Sequence, residues 1–329
     1  MQSFEWVDAA SVEQAATLLA EGDVTRPVVA KAGGMDLLDL MKEGIINPSR
    51  VVNLKSIKDL DDIRFSEADG LDLGTLVTLG RMANAPEVRQ RYAALADAAG
   101  HVATPQVRNA ATIGGNLLQR PRCWYFRNAY FHHIGADSAN HARDGENQYH
   151  AIFDNARSAM VHASTPATAL LAYGARVELT GPQGKRREVA LQDFLLPPEM
   201  TRDHDTLIEA GEVLTRVIVP PPATDTRAAY HKQTERDSYD WPICDVAVVL
   251  QMEGRRVRAA SVVMGWVAPT PRRAVESEQA LVGRDLSENV VREAARAAVA
   301  GATPLSKNAY KVPVLEAVVR RTVLAAAAA

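Results

Sequence analysis

Two glycine-paired stretches, Ala32-Gly33-Gly34-Met35-Asp36-Leu37 and Thr112-Ile113-Gly114-Gly115-Asn116-Leu117, constrain this chain more than any other feature. A glycine pair lets the backbone come close to an anion, because no Cβ intervenes and positive φ is allowed. The first pair follows Pro27-Val28-Val29-Ala30, a short apolar run with strand character. It precedes Leu37, Leu38, Leu40 and Met41, whose spacing suits an amphipathic helix. The second pair lies between Thr112 and Asn116, whose side chains offer hydrogen bonds. One such pair alone marks only a turn; two of them read together as a single site that grips a diphosphate from both sides. Neither fits Gly-x-Gly-x-x-Gly or Gly-x-x-x-x-Gly-Lys-Ser/Thr, so a Rossmann nicotinamide site and a P-loop are both disfavoured.

The 329 residues, 47% hydrophobic and 23% charged, are enough for one large or two medium cores. Net charge is −3 and the basic residues are scattered, Lys185-Arg186-Arg187 being the one compact cluster. Nucleic acid is therefore not an expected partner. There is no run of eighteen apolar residues and no charged-then-apolar leader. Membrane insertion is not expected, and the cytoplasm is the default location. Export on a partner's twin-arginine signal would leave no trace in this sequence.

Along the chain, Ser11 and Gln14 form a capping box ahead of Ala15, Ala16, Leu18 and Leu19. A small βαβ-like lobe is expected over residues 1–55, ending near Leu54. Strands are expected over Asp61 to Phe65 and Leu71 to Leu79, then a helical stretch through Val88, Tyr92, Leu95 and Ala99, with regular structure resuming from Leu170 to Leu179. Pro220-Pro221-Pro222 is the best domain boundary. Beyond it, Cys244 to Met252 and Val257 to Val267 alternate as strands about a Glu253-Gly254 turn, Ser287 opens a helix, and a last helix begins at about Pro313. The final hundred residues read as a sheet with helices on one face.

Further segments carry a family likeness. Tyr230-His231-Lys232-Gln233-Thr234-Glu235-Arg236 supplies a K-x-x-x-R strand, and Gly265-Trp266-Val267-Ala268-Pro269-Thr270-Pro271-Arg272-Arg273-Ala274 an APTP-containing hairpin. Leu207 to Val219, Asn308-Ala309-Tyr310-Lys311 and Arg320-Arg321 continue the likeness in order. Together with the glycine loops they resemble the FAD-binding medium subunits of the xanthine dehydrogenase and carbon monoxide dehydrogenase class of molybdenum hydroxylases. The resemblance implies an α+β chain. A two-lobed FAD-binding domain of the PCMH type spans 1–220, with lobes 1–55 and 56–220. A C-terminal domain of the CO dehydrogenase flavoprotein type spans 223–325.

The same resemblance implies FAD as the cofactor. It places Ala32 to Leu37 and Thr112 to Asn116, with Gly114 and Gly115, on the ADP and diphosphate half, and adds Lys31, Ala103 and Gln106 as cofactor-binding residues. Asp36 is expected to point away from the phosphates, capping the helix or ordering the loop by accepting backbone N–H bonds. Arg108 is either structural or a neighbour of the diphosphate. Thr78 is expected to face the flavin from the sheet, Ile208 to make an apolar contact with its ring, and Trp241 to cover one ring face. Lys232 is expected beside the ring, where a cation would favour the reduced anionic flavin.

Two departures stand out. Residues 119–160 are long for a bare connection, and Arg122 to Arg127 with Gly145 to Phe153 resemble the periplasmic aldehyde oxidoreductase type. In that type the insertion holds a [4Fe–4S] cluster on four cysteines. This chain has only Cys123 there, and Cys244 is its other cysteine, so the insertion is expected without the cluster. His132, His133, His141 and His150 lack zinc-like spacing, and no metal is expected. Thr165 stands where relatives generally carry an aspartate, which is expected to lower FAD affinity.

No residue here forms a nucleophile constellation. The implied role is an electron-transfer subunit in a heterotrimer. A molybdopterin large subunit would oxidise an aldehyde or N-heterocycle, and [2Fe–2S] clusters of a small subunit would pass electrons to FAD and on to an external acceptor. The alternatives are a self-contained FAD oxidoreductase of the same fold and a degenerate scaffold subunit.

Overall fold

The computed structural model describes residues 2–23, 25–132, 141–198 and 204–329. Three short strands, β1 (Glu5–Asp8), β2 (Val28–Lys31) and β3 (Arg50–Asn53), make a parallel sheet in the order β1-β3-β2. The helix Val12–Leu19 makes the crossover between β1 and β2. Ser11 caps it by accepting the Gln14 N–H at 3.2 Å, while the Gln14 side chain accepts the Ala10 N–H at 2.7 Å. These are the back-and-forth bonds of a capping box, shifted by one residue on the return arm. Ala15 and Ala16 pack the helix against Val52 and Leu54.

A second lobe is built on an antiparallel sheet, β4 (Ile63–Ser66), β5 (Gly70–Gly74), β6 (Arg176–Thr180), β7 (Arg186–Ala190) and β8 (Val213–Val219), in the order β4-β5-β8-β6-β7. β5 ends at Gly74 rather than running on to Leu79. A Cβ at Gly74 would lie 2.3 Å from the Leu60 carbonyl oxygen, so the backbones touch and the chain turns away there. The expected long helix around Tyr92 is two helices, Pro86–Arg91 and Ala93–Gly100. Tyr92 is buried between them and donates its hydroxyl to the Pro220 carbonyl at 3.0 Å. The whole stretch between β5 and β6 stands outside the sheet, and it carries the second glycine loop and the insertion.

The last sheet, β9 (Thr226–Gln233), β10 (Cys244–Glu253), β11 (Arg256–Gly265) and β12 (Arg272–Arg273), is antiparallel in the order β12-β11-β10-β9. Alternation along β10 sorts its two faces. Val246, Val248 and Leu250 join a core with the helices Glu288–Val299 and Lys311–Ala328, whereas Ala247 and Val263 join the core of the second lobe. The sheet is therefore covered on both faces, and its inner face completes the site. Ser287 caps Glu288–Val299 as expected, accepting the Val290 N–H. The final helix starts two residues before Pro313, which sits in the first turn, where its missing N–H costs nothing. Among the described residues no helix is long and apolar enough to cross a membrane.

Residues 119–160 are stitched to both neighbours. Cys123, Phe126, Ala142, Ala159 and Met160 form a small core with Leu40. The N–H groups of Ile152 and Phe153 donate to the Val267 carbonyl at 2.8 and 3.0 Å, and Asn308 Nδ2 donates to the His150 and Ala151 carbonyls.

Candidate cofactor site

A cavity of about 800 Å³ runs between the small lobe, the second glycine loop and the last sheet. Its walls include Lys31, Ala32, Gly33, Gly34, Met35, Asp36 and Leu37 from the first loop, and Thr112, Gly114, Gly115 and Asn116 from the second. Ala103, Thr165, Ile208, Lys232 and Trp241 complete the part anticipated from sequence. Gln106 and Thr78 are not on the walls. Gln106 is solvent-exposed on the helix Pro105–Ala110. Thr78 lies beyond the end of β5, where its hydroxyl accepts the Arg81 N–H and caps the helix Leu79–Asn84. Its bridge to Thr112 ties that cap to the second loop.

The two loops do different work. Gly34 takes φ +78°, a left-handed turn that opens the helix Leu37–Lys42. Among the described hydrogen bonds, the N–H groups of Gly33, Gly34 and Met35 donate to nothing, so they are available to an anion. Lys31 adds a cation beside them. The second loop, by contrast, is the first turn of a short helix, and its donors are spent. Ile113 donates to the Val77 carbonyl, Gly114 to the Thr75 carbonyl at 2.9 Å, and Gly115 to its own cap, the Thr112 hydroxyl. Free backbone donors are thus on the first loop, and the second loop offers side chains. The second pair instead permits close approach, since a Cβ at Gly114 would meet Thr75 Cβ at 2.7 Å. Asn116 remains the polar group of that loop, with Oδ1 accepting the Ser164 hydroxyl at 2.6 Å.

Asp36 does not cap its helix. Its Oδ2 accepts the Arg120 backbone N–H at 2.9 Å, and its Oδ1 meets Arg122 at 2.9 Å and Arg127 at 2.6 Å. The carboxylate is thereby turned from any phosphate and pins the start of the insertion to the first loop. Asp36→Asn removes the charge that holds two largely buried guanidinium groups, and a stability loss of about 2 kcal/mol is expected. Urea unfolding of the variant checks this; an unchanged midpoint would leave the carboxylate without an anchoring role.

Arg108 is structural, donating to the Val102 and Ala103 carbonyls at 2.7 and 2.9 Å. Those bonds hold Ala103 at φ +39°, a conformation that costs a non-glycine residue about 1–3 kcal/mol. Thr165 is buried and its hydroxyl reaches the Ala98 carbonyl at 3.4 Å.

Lys232 reaches the cavity because it pairs in register with Asp245, and both point to the inner face of the last sheet. Its ammonium donates to the His101 carbonyl at 2.8 Å. Burial lowers its pKa, opposed by Asp245 and Asp240. Behind it, Asp245 is wholly buried, accepting the Tyr230 hydroxyl at 2.8 Å and facing Thr168 at 3.4 Å. Burial pushes its carboxyl up to about 7. Gly265 must be glycine here, since a Cβ would lie 2.0 Å from Asp245 Oδ1.

Sequence reasoning missed Arg122, Asp240 and Trp266 as wall residues. Trp266 sits at φ +60° with its ring 5.6 Å from that of Trp241, and Arg122 lies over Trp241 at 5.2 Å. The APTP-containing segment that includes Trp266 was a signal for it; nothing local marked Arg122. Among the described residues no group of three or more His, Cys, Asp or Glu could hold a metal ion. Cys123 and Cys244 are both free and buried, and Cys123 Sγ lies 3.2 Å from His150 Nε2. His133 lies outside the described residues.

Burial pushes the His150 and His162 imidazoles down from 6.5 to about 4. A base with a depressed folded-state pKa binds its proton first in the unfolded chain, so its contribution is complete above about pH 6.5 and is lost as pH falls toward 4. Asp245 has the opposite sign, favouring the folded state most below its ordinary 3.8 and fading as pH rises to about 7. With His231 also held below its ordinary value by burial, the histidines outweigh the one aspartate, and unfolding takes up about one proton net. Stability should then fall by about 1.4 kcal/mol per pH unit between pH 6 and 4.5. Denaturant midpoints across that range measure the slope, and a flat profile would contradict the burial of these imidazoles.

The model "FAD binding domain in molybdopterin dehydrogenase" matches residues 2–222, and "CO dehydrogenase flavoprotein C-terminal domain" matches residues 228–326. The chain is 36% identical over 245 residues to the aldehyde oxidoreductase FAD-binding subunit PaoB of Escherichia coli K12, covering 74% of this chain and 75% of that one. It is 30% identical over 301 residues to the carbon monoxide dehydrogenase medium chain of Hydrogenophaga pseudoflava, covering 92% and 88%. Among solved structures, the carbon monoxide dehydrogenase of Hydrogenophaga pseudoflava lacking the Mo-pyranopterin moiety superposes with a TM-score of 0.78 at 28% identity, over 99% of this chain and 98% of that one. Quinoline 2-oxidoreductase from Pseudomonas putida 86 gives 0.77 at 26% identity, over the same shares.

Proposed function

The chain belongs to the FAD-binding medium subunits of the molybdopterin dehydrogenases, and on that premise we propose that it is the electron-relay subunit of a heterotrimeric molybdenum hydroxylase. The observation that carries the reading is the cavity itself. One wall offers unspent backbone N–H groups and Lys31, the other end offers Lys232 and tryptophan, and the glycines sit where a Cβ would close the cradle. These residues fit FAD. Gly33, Gly34 and Met35 would hold its diphosphate and Asn116 would add a side-chain bond. Trp241 and Ile208 would shield the ring from water. Lys232, steadied by the His101 carbonyl, would favour the reduced anionic form and raise the potential. When bound, FAD supplies the ability to take electrons singly and release them in pairs.

In this reading a molybdopterin-bearing large subunit oxidises an aldehyde or an N-heterocycle, and a small subunit carries the electrons on [2Fe–2S] clusters. Relatives named as an aldehyde oxidoreductase subunit and as carbon monoxide dehydrogenase medium chains support the assignment. The test is anaerobic mixing of the FAD-loaded chain with aldehydes and N-heterocycles, alone and in its complete complex. The flavin is expected to bleach only in the complex. Bleaching of the isolated chain by a small substrate would point to a self-contained oxidoreductase instead.

A further inference from the structure

A row of three residues crosses the last sheet at Lys232 and sets a carboxyl directly beside the cavity's cation. Lys232 on β9 is paired with Asp245 on β10, and Asp245 with Gly265 on β11. Directly opposed residues of antiparallel strands share a face, with Cβ atoms about 4.5–5.5 Å apart. Ala247, two residues on from Asp245, and Val263, two before Gly265, join the core of the second lobe, so this face is the inner one. Lys232 lines the cavity and Asp245 stands behind it, off the wall.

The carboxyl has a site built for it. Asp245 is fully buried, Oδ2 accepts the Tyr230 hydroxyl at 2.8 Å, and the Thr168 hydroxyl, from the helix Thr165–Ala172, lies 3.4 Å from Oδ1. The absent Cβ of Gly265 leaves room for Oδ1, since an added one would lie 2.0 Å away. Lys232 is the cation that acts on it from the inner face. From the outer face comes the Lys311 ammonium, already engaged by three carbonyls, and the Cys244 thiol adjoins in sequence. Around Lys232, Asp240 supports its charge, Arg108 opposes it, and His101 lends its carbonyl, with the His101 ring 6.5 Å from that of Tyr230. A carboxyl taken out of water stays protonated unless donors and a cation favour its ionised form. The two hydroxyls and Lys232 do so here against burial, which holds the group up at about 7.

We propose that Asp245 is a positioning residue of the flavin site that acts through Lys232. Ionised, it offsets the Lys232 charge and holds back the reduced flavin; protonated, it leaves that charge whole and favours reduction. The proposal rests on the reading of the main cavity as the FAD site. The proton concerned is that of the Asp245 carboxyl, exchanged with solvent. Asp245 itself takes no electron and forms no covalent bond.

The test equilibrates the FAD-loaded full chain with dithionite and anthraquinone-2,6-disulfonate as reference dye, and reads the ratio of reduced to oxidised flavin. Asp245→Asn keeps the shape and an oxygen for Tyr230 while removing the charge. At about pH 8.5 the variant's ratio is expected about tenfold above the parent's, whereas at about pH 5.5, where the parent's carboxyl is protonated, the two should coincide. A purely structural role would offset the ratio at both. Tyr230→Phe tests the same charge should Asp245→Asn fail to fold. It removes a hydroxyl that favours the ionised form, so at about pH 7.5 its ratio should also exceed the parent's. Ratios equal to the parent's at the higher pH, a lower ratio there, or an offset that persists at about pH 5.5 would each overturn this proposal alone. A parent chain that cannot be loaded with FAD brings down the reading of the main cavity, and the role of Asp245 falls with it.

Discussion

Alanine in place of Gly33 is expected to strip the chain of FAD while leaving it folded. A Cβ there would lie 2.2 Å from the Ala110 carbonyl oxygen, 2.9 Å from the Ala110 carbonyl carbon and 3.2 Å from Ala111 Cα. All three are backbone atoms, so no side chain can swing aside. Ala110 and Ala111 lead straight into Thr112, the cap of the second glycine loop. Relief of the clash must therefore push the two loops apart and widen the cradle between them. Overpacking of this kind costs about 1–3 kcal/mol, which expressed as affinity is about 5- to 150-fold. Acid-released FAD per purified chain measures it. Gly44→Ala is the control. It also strains a positive-φ position, at +73°, but meets nothing within 4 Å and is not itself on the cavity wall. It should keep its flavin. Full FAD in the Gly33 variant would show that the two loops do not act as one cradle.

The second large effect is expected at Lys311. Its side chain is fully buried and its ammonium donates to the carbonyls of Tyr149 at 3.2 Å, His150 at 3.1 Å and Trp266 at 2.7 Å. Burial lowers its pKa to about 8, so the group remains mostly charged at neutral pH. One side chain at the start of the last helix thus fastens the insertion and the loop after β11. Lys311→Met keeps the length of the stem and removes the charge. Among the described hydrogen bonds, the Tyr149 and Trp266 carbonyls then lose their sole partner, whereas His150 keeps Asn308. Leaving one buried and one part-buried carbonyl unmet is expected to cost about 2 kcal/mol, read as a lower urea midpoint with an altered tryptophan emission as Trp266 loosens. A variant as stable as the parent would mean that the desolvation of the ammonium cancels its three bonds.

These two residues also show what local pattern can and cannot reveal. Gly33 was legible because its pair, set between an apolar strand and a helix pattern, could be read together with a second pair as one site, and the strands β10 and β11 were legible from alternation about Glu253-Gly254. The cavity's contacts across long separations were not. Asp36 was expected to cap its helix or to order the loop by accepting backbone N–H bonds; it does not cap, and the N–H and the two guanidinium groups it meets belong to the insertion, brought there by packing that no periodicity encodes. Thr78 was read as a strand residue because Leu71 to Leu79 looks continuous, yet backbone contact at Gly74 ends the strand and makes Thr78 a cap. The second glycine pair was read with side-chain hydrogen bonds from Thr112 and Asn116, and the structure engages both locally, Thr112 as a helix cap for Gly115 and Asn116 with Ser164. Arg122 and Lys311 carry no sequence pattern of their own, since a cation's burial depends on carbonyls and carboxylates that the fold brings from elsewhere.

The most direct test of the account is the visible spectrum of the purified chain, with acid release of its cofactor and an iron assay on the same sample. The account predicts flavin absorption, one non-covalent FAD per chain and no iron. A colourless chain that FAD cannot reconstitute would contradict it.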